Sequence, residues 1–251
     1  VEGVDGEGEV ADLARTFNKM ADNIQSNDNS RGQFMGNIAH ELRTPMTTIK
    51  GFVDGILDGT IPPDMQNHYL QLVSEETGRL ARLIQNMLDL SKLESGEYQV
   101  NARMFNIWET LTGVALSAEQ RINDGMIDLE GLTMDEKVLV YADPDLIHQV
   151  AYNILDNAIK YSAPGGRITV KIWQGEYKAF IEIIDQGRGI PPEDLENVKT
   201  KFYKGSNSVR GSGIGLALVD SIMIALDGTM DLKSTLGRGT VVTLGLPIYK
   251  R

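Results

Sequence analysis

The sequence contains no cysteine, and this absence excludes two classes of site. Without a thiol among its 251 residues, the chain can form neither disulfide bonds nor thiolate metal sites, and a reducing compartment is compatible with it. A histidine metal site is also disfavoured. His68 and His148 are expected in different elements, and no H-E-x-x-H pattern occurs.

Long apolar runs and positive charge are also scarce. No apolar stretch approaches the roughly 20 residues that span a bilayer, and no signal peptide is recognisable. The chain has 24 Lys and Arg against 35 Asp and Glu, a formal charge of -11. This balance argues against nucleic-acid binding and against a polybasic membrane patch. Because the chain starts at Val1 without Met, we expect a fragment from which a membrane anchor has been removed.

Heptad spacing predicts long helices before residue 97. Apolar residues recur three and four positions apart over residues 10–24, again over 34–56, and from about 64 to 94. The loop signal DGTIPPD, at 58–64, separates the last two helices and predicts an antiparallel hairpin. One hairpin leaves an apolar stripe exposed, whereas two hairpins close a four-helix bundle. The sequence therefore predicts a homodimer.

After residue 96 the pattern changes to short strands mixed with helices. Strands are predicted near residues 98–105, 126–130, 137–142, 166–174, 178–185, 229–235 and 239–247. Helices are predicted at 106–122, 143–162 and 212–226. The Gly-rich stretch between residues 186 and 212 is predicted as a long functional loop. This order indicates an α+β sandwich, in which helices cover one face of one sheet.

His40 lies on the exposed side of a predicted helix. It falls about 200° from Ile38 on the helical wheel and shares its face with Thr44. Glu41 can orient the ring or accept its proton, and Pro45 deprives a carbonyl near residue 41 of its backbone donor. A neutral imidazole is a nucleophile at cellular pH. The alternative is a solvated surface histidine, and these three neighbours favour the functional interpretation.

A second polar set lies on the helix predicted at 143–162. Asn153, Asn157 and Lys160 share one face. Amide oxygens are hard ligands suited to Mg²⁺, and a lysine ammonium can meet a phosphate as a point charge. The alternative is a polar, solvated helix face on which the asparagines have no binding role.

Glycines follow at two further places. Asp185 ends a predicted strand, and Gly187 and Gly189 follow it, so the carboxylate could meet an adenine amino group while the glycines let the backbone approach the base. Gly213 and Gly215 precede or open a helix whose N-terminal amides can bind phosphate. No Walker A pattern occurs, and a loop precedes these glycines, so neither a P-loop nor a dinucleotide fingerprint is indicated.

Five stretches together resemble the conserved boxes of bacterial sensor histidine kinases. FMGNIAHELRTPMTTI resembles the H box, although Ala39 stands where many members have Ser. Four others follow in the family's order: NILDNAIKYS (N box), DQGRGI (G1 box), KFYKGS (F box) and RGSGIGLAL (G2 box). Upstream, GEVADLARTFNKMADNI resembles the second helix of a HAMP linker. Any one box is a weak signal, whereas five in order are specific.

The resemblance implies chemical roles for residues of the first helix. His40 would be the phosphoacceptor, and Glu41 would be the base or hold the imidazole tautomer. Thr44, in the motif ELRT, would help to orient a water that removes phosphate from a response regulator. The aromatic pair of the F box would anchor a mobile lid over the nucleotide.

The resemblance also implies a binding site for ATP and Mg²⁺. Asp185 would read the adenine amino group, Thr240 would lie near the adenine, and Asn157, with Asn153, would hold the metal. The implied nucleotide-binding residues are Asn153, Asn157, Lys160, Tyr161, Asp185, Gly187, Gly189, Ile190, Phe202, Tyr203, Lys204, Arg210, Gly211, Gly213, Gly215, Leu216 and Thr240.

The implied fold is α+β: a helical hairpin that forms a dimeric four-helix bundle, followed by an α/β sandwich of the Bergerat (GHKL) type. We expect a partial HAMP helix at 1–30, a dimerisation and phosphotransfer hairpin at 31–96, and a catalytic domain at 97–251. The implied molecule is the cytoplasmic portion of a membrane sensor kinase, which acts as a homodimer on a response regulator receiver domain. The linker at 94–96 would act as its hinge.

Three alternatives stay open at the level of sequence. An ATPase of the superfamily that includes type II topoisomerases would carry similar nucleotide boxes without an H box. A dimeric scaffold could have kept the fold without binding ATP–Mg²⁺. A protein that acts mainly as a phosphatase would dephosphorylate the regulator faster than it phosphorylates itself.

Overall fold

The computed structural model describes residues 35–132, 137–205 and 211–248. The chain divides into two compact units, Val1–Ala81 and Arg82–Arg251. The predicted HAMP-like helix at 1–30 lies outside the described residues. No helix in the described part of the chain is long and apolar enough to cross a bilayer.

Two helices joined by a short loop form the predicted hairpin. Helix α1 is continuous over 35–57, and α2 spans Gln66–Ser95. The loop is fixed by the buried Ile61, whose backbone N–H donates to the carbonyl of Gly55 at 2.7 Å. The rings of Phe52 and Tyr69 meet edge to face with centroids 5.1 Å apart, which joins the end of α1 to the start of α2.

A glycine ends α2 where the sequence predicted a stop. Gly96 adopts a left-handed φ of 71°, and the N–H of Glu97 donates back to the carbonyl of Lys92 at 3.0 Å. A residue with positive φ after the last helical turn satisfies carbonyls that the helix leaves free, and glycine adopts this conformation without steric cost.

The remaining elements are a mixture of short strands and helices. In chain order they are β1 (Arg103–Asn106), α3 (Ile107–Ser117), α4 (Glu119–Asp124), β2 (Asp128–Glu130), β3 (Leu139–Ala142), α5 (Pro144–Tyr161), β4 (Arg167–Gln174), β5 (Lys178–Asp185), α6 (Pro192–Leu195), α7 (Gly215–Ala225), β6 (Thr229–Thr235) and β7 (Gly239–Pro247).

The main sheet has five strands in the order β2-β4-β5-β7-β6. β2 runs parallel to β4, and the other pairs are antiparallel, including the two predicted hairpins β4–β5 and β6–β7. Alternate residues of the strands are buried, for example Ile181 and Ile183 on β5. The buried side chains of α5 and α7 complete the core, so helices cover one face of this sheet, as predicted.

Three details differ from the sequence prediction. β1 and β3 form a separate two-stranded sheet, so the domain does not have one sheet alone. β1 starts at Arg103 and not near residue 98, because the N–H of Asn101 donates to the Asp143 carboxylate at 2.8 Å and not to a strand. The helix predicted at 106–122 is divided at Ala118, whose φ of -100° and ψ of 0° leave the helical range.

Candidate functional site

The histidine of α1 is much more exposed than the glutamate that follows it. The side chain of His40 is 75% exposed, whereas that of Glu41 is 13% exposed. Pro45 is buried on the other side of the helix, and α1 continues through it. The exposure of His40 agrees with the helical wheel. An imidazole in this position is open to an electrophile brought by another part of the protein.

Two neighbours define the surroundings of that imidazole. The Nδ1 atom of His40 lies 3.8 Å from Oε1 of Glu41, which is longer than a hydrogen bond but close enough for electrostatic attraction to a protonated ring. The hydroxyl of Thr44 donates to the carbonyl of His40 at 3.3 Å. The Thr44 oxygen keeps its lone pairs on the same exposed surface.

Helix α5 places the polar set of the second unit. Asp143 caps this helix: its carboxylate accepts from the N–H groups of Asp145 at 3.0 Å and Leu146 at 3.4 Å. Further along α5, the Asn153 amide donates to the carbonyl of Gln149 at 2.8 Å. The donation fixes the amide nitrogen toward its own helix, so the Asn153 oxygen is the atom available for a metal ion or a phosphate-bound water.

The start of α7 approaches the same asparagine. A Cβ built on Gly215 would lie 3.1 Å from Oδ1 of Asn153. Gly215 is the first residue of α7, whose 11 residues carry no side-chain cap hydrogen bond at their N-terminus. Uncapped N–H groups there favour an anion. Asn153 and the N-terminus of α7, with Leu216 in its first turn, therefore lie close together.

Two cations flank an aromatic ring at the end of α5. Nζ of Lys160 lies 4.8 Å from the centroid of the Tyr161 ring, and Cζ of Arg188 lies 4.6 Å from it. The backbone N–H of Arg188 donates to the Tyr161 carbonyl at 3.3 Å. Lys160 and Tyr161 were predicted from the sequence. Arg188 was not singled out, although it lies within the glycine pair of DQGRGI.

Asp185 is the last residue of β5, the central strand of the main sheet, and backbone donors hold its carboxylate in place. Its Oδ1 accepts from the N–H of Gly187 at 2.8 Å and from the N–H of Thr240 at 3.2 Å. Thr240 is also its partner across the β5–β7 ladder. Burial raises the pKa of Asp185 above its ordinary value of 3.8, and the two hydrogen bonds oppose that rise. The carboxylate of Asp185 is therefore partly removed from water, and its Oδ1 atom already accepts two backbone hydrogen bonds.

The glycines after Asp185 are required by contacts within the protein. A Cβ on Gly187 would lie 2.5 Å from the carbonyl oxygen of Tyr161, and one on Gly189, where φ is 68°, would overlap the carbonyl of Thr235. From the sequence, these glycines were predicted to let the backbone approach a base closely. The structure adds a second reason: the loop packs directly on the end of α5 and on the end of β6.

Ser234 connects this loop to the last hairpin. Its Oγ accepts from the N–H of Ile190 at 2.9 Å, donates to the carbonyl of Gly239 at 2.8 Å, and lies 2.9 Å from Oγ1 of Thr240. Ser234 was not predicted from the sequence. The hairpin turn predicted at LGRG could have indicated it, because that turn places Ser234 opposite Thr240.

The F-box segment at 201–205 is anchored by a buried carboxylate that the sequence patterns did not predict. The Tyr203 hydroxyl donates to Oδ1 of Asp194 at 2.5 Å, and Asp194 is only 6% exposed. This hydrogen bond raises the pKa of Tyr203. The N–H of Phe202 donates to the carbonyl of Gly213 at 2.9 Å. Lys204 is exposed and Gly211 half-buried, and Arg210 lies outside the described residues.

The donor set fits a partly protein-bound magnesium ion. Within the described ranges, no group of three or more His, Cys, Asp or Glu side chains is clustered as a metal site. Amide oxygens of Asn153 and Asn157, both half-buried on α5, would therefore supply only part of the coordination. Mg²⁺ commonly takes its other ligands from substrate phosphates and water, so the residues fit that ion.

Two protein-family models match the chain. Residues 30–96 match HisKA, the His Kinase A (phospho-acceptor) domain. Residues 142–250 match HATPase_c, the histidine kinase-, DNA gyrase B-, and HSP90-like ATPase. The first match includes the exposed histidine, and the second includes the polar face of α5, Asp185 and the last hairpin.

Curated sensor kinases are similar to most of the chain. It is 35% identical to the sensor histidine kinase YclK of Bacillus subtilis (strain 168), over 96% of this chain and 53% of that protein. It is 33% identical to the sensor histidine kinase WalK of the same organism, over 89% of this chain and 37% of that protein. The chain thus spans about half, or less, of the length of these relatives.

Solved histidine kinases share the fold. The histidine kinase AdeS of Acinetobacter baumannii gives a TM-score of 0.69 at 27% identity, over 84% of this chain and 98% of that chain. The histidine kinase ThkA, solved in complex with the response regulator protein TrrA, gives a TM-score of 0.69 at 24% identity, over 90% of this chain and 65% of that chain. The second likeness shows the fold alone.

Proposed function

The chain belongs to the sensor histidine kinases, and from this premise we propose that it transfers the γ-phosphoryl group of ATP to His40. The phosphoryl group then passes to an aspartate of a response regulator. One observation carries the proposal. The region that matches the phospho-acceptor domain contains a histidine whose side chain is 75% exposed, in a chain whose other unit carries the nucleotide-binding constellation.

Nucleotide binding is assigned to the second unit. Asp185 supplies a desolvated carboxylate for an amino group on the base, and the backbone of Gly187 and Thr240 holds it in place. Lys160 and the N-terminus of α7 supply positive potential for the phosphates. Asn157 and Asn153 would hold Mg²⁺, which neutralises charge on the phosphates when it is bound.

Phosphoryl transfer requires mainly positioning and charge neutralisation, because the protein makes few bonds to the transferred group. A neutral nitrogen of His40 is the attacking atom. Glu41, at 3.8 Å from Nδ1, is placed to attract the proton on that side of the ring, so that the other nitrogen carries the lone pair. This arrangement supports Glu41 as the base or the group that holds the tautomer.

The proposed partner is the receiver domain of a response regulator, and the proposed second activity is its dephosphorylation. The match of residues 30–96 to the phospho-acceptor domain supports a partner of this class. Thr44 would help to orient the attacking water, since its oxygen lies on the surface that it shares with His40. Following the loss of phosphate from a phosphorylated regulator after addition of the chain tests this activity.

We propose three segments along the chain: a partial HAMP helix at 1–30, a dimerisation and phosphotransfer hairpin at 31–96, and a catalytic domain at 97–251. The HisKA match at 30–96 supports the second. The heptad spacing of the hairpin supports a homodimer. The likeness of residues 8–24 to a HAMP helix supports the proposal that the chain is the cytoplasmic portion of a membrane protein.

Incubation with γ-labelled ATP and Mg²⁺ tests the kinase activity. The chain is expected to acquire a label that is stable to base and labile to acid. The His40→Gln variant should acquire none, while its affinity for ADP stays at the wild-type value. The matched control is His68→Gln, because His68 is another exposed helical histidine; this variant should be labelled normally.

Other outcomes favour the rival functions. ATP hydrolysis without any label on the protein would indicate an ATPase of the related superfamily. Failure to bind ATP–Mg²⁺ would indicate a scaffold. Equal labelling of the wild type and the His40 variant would contradict the assignment of the phosphoacceptor.

A further inference from the structure

The hydroxyl of Ser234 has three polar neighbours and one proton. The N–H of Ile190 can only donate, and it donates to Oγ at 2.9 Å. The carbonyl of Gly239 can only accept, and it lies 2.8 Å from Oγ. The third neighbour, Oγ1 of Thr240 at 2.9 Å, can do either.

Proton counting fixes the direction of the third bond. A serine hydroxyl has a single O–H donor and two acceptor lone pairs. Its proton goes to the carbonyl of Gly239, and one lone pair accepts from Ile190. The remaining contact is satisfied only if Thr240 donates its hydroxyl proton to Ser234. The Thr240 oxygen is then left with lone pairs alone.

Thr240 and Asp185 lie at one corner of the site. They are paired across β5 and β7, and the Thr240 N–H donates to Oδ1 of Asp185 at 3.2 Å. An ionised carboxylate is also an acceptor without a proton. Both side chains therefore present lone pairs at this corner.

We propose that Ser234 is a specificity-determining positioning residue. By fixing the Thr240 hydroxyl, it leaves the side chains of Thr240 and Asp185 able only to accept hydrogen bonds from the base. Such a corner selects a purine with an amino group at C6 over one with a carbonyl at C6. This inference rests on the proposed nucleotide site and adds the origin of its base selectivity. When a protein acceptor faces a carbonyl oxygen at C6, both oxygens lose water and neither gains a hydrogen bond. Such unpaired polar groups discriminate strongly against a ligand that carries the carbonyl.

The test compares ADP with inosine diphosphate, which has a carbonyl at C6. Their dissociation constants are measured calorimetrically with Mg²⁺ for the wild-type chain and for Ser234→Ala. In the alanine variant the Thr240 hydroxyl is free to turn and donate to a carbonyl. The wild type should prefer ADP. The ratio of the dissociation constant of inosine diphosphate to that of ADP should fall on the order of 10-fold in the variant.

Two further variants separate base selectivity from a general structural role. Ser234→Thr keeps the hydroxyl on a residue that suits a strand, and it should keep the wild-type ratio. Thr240→Val removes the rotating hydroxyl, so adding Ser234→Ala to it should leave the ratio unchanged. If Ser234 only supports the fold, Ser234→Ala should weaken the binding of both nucleotides equally and should leave the ratio of their dissociation constants at the wild-type value.

The outcomes are distinguishable. If the wild type prefers ADP but the folded Ser234→Ala variant keeps the same ratio, the inference is overturned and the proposed function stands. If the wild type binds neither nucleotide, both are overturned. If Ser234→Ala fails to fold, Thr240→Val decides: a lowered ratio supports the inference, and an unchanged ratio overturns it.

Discussion

The carboxylate of Asp185, the proposed contact of the base, is buried at a cost in stability at neutral pH. Burial raises its pKa, so the folded state favours the protonated form more than the unfolded chain does. The stabilising contribution of this group is therefore complete below its ordinary pKa of 3.8, and it is lost as the pH rises through the folded-state value. At neutral pH the ionised carboxylate is retained against the preference of the fold.

We predict opposite effects of Asp185→Asn on binding and on stability. An amide oxygen can still accept from Gly187 and Thr240, but the amide nitrogen presents donors where an amino group of the base would donate. ADP affinity should fall by about 10- to 100-fold, the value of a hydrogen bond to a charged group. The free energy of unfolding at pH 7 should rise, and its difference from wild type should shrink as the pH falls through the raised pKa of Asp185 toward 3.8.

Calorimetry with ADP and denaturant titrations at several pH values check this prediction. Other titrating groups are common to both proteins, so the difference between the two stability curves reports Asp185. A variant that binds ADP normally would show that Asp185 does not read the base. A difference that grows on acidification would contradict the assigned direction of the pKa shift.

At the scale of elements, α5 carries the polar face of the proposed nucleotide site, and its start depends on its N-cap residue. The Asp143 side chain is 4% exposed and accepts three backbone hydrogen bonds, two from the first turn of α5 and one from Asn101 at 2.8 Å. This one side chain therefore fixes both the start of α5 and the segment that precedes β1.

We predict that Asp143→Ala lowers the free energy of unfolding of the second unit by about 2–4 kcal/mol. The substitution removes a helix cap and leaves buried N–H donors without acceptors. Asp143→Asn is the matched control; it keeps an acceptor for α5 and should lose less. Both tryptophans, Trp108 and Trp173, lie in this unit, so their fluorescence during denaturation follows it selectively. A loss below about 0.5 kcal/mol for alanine would contradict the prediction.

The last turns of α2 belong to the same compact unit as the nucleotide site. The Gln149 amide donates to the Asp89 carboxylate at 2.9 Å, and Nζ of Lys201 lies 2.6 Å from Oε2 of Glu94. Leu90 is fully buried. The hinge predicted at 94–96 stays a prediction, and a swing about it would have to break these bonds.

At the scale of the whole molecule, the hairpin of one chain leaves its seam incompletely covered. On α2, Val73 and Leu80 occupy heptad positions but are only half-buried, and Leu70 is 49% exposed. Half-exposed apolar side chains at regular spacing on a long helix gain free energy by packing against a second helix pair. This pattern supports the proposed homodimer.

We propose that the chain is a dimer, and we predict that Leu80→Glu makes it a monomer at micromolar concentration. Each subunit would lose a leucine that the proposed dimer buries and would place a charge between the helices. The two changes should weaken association on the order of 100-fold or more. The matched control is Ala81→Glu, because Ala81 is adjacent and exposed. Light scattering during gel filtration gives the mass. A wild-type chain that is monomeric at every concentration would contradict the proposal.

The sequence alone determined what depends on local periodicity and local chemistry. The exposure of His40 follows from a helical repeat, and the start of α5 follows from Asp143 and Pro144. The main strands also follow from short patterns of alternating apolar residues. These features involve residues within a few positions of one another, which is why the sequence pattern could predict them.

Only the tertiary structure decided which distant residues meet. Ile190 reaches Ser234 across 44 positions, and Asp185 reaches Thr240 across 55. Local sequence patterns predict neither contact, because each depends on strand register and on the path of a loop, although the family resemblance placed Asp185 and Thr240 near the same base. The anchoring of Tyr203 by buried Asp194 and the separate β1–β3 pair were missed for the same reason. Packing geometry, and not local propensity, selects these contacts.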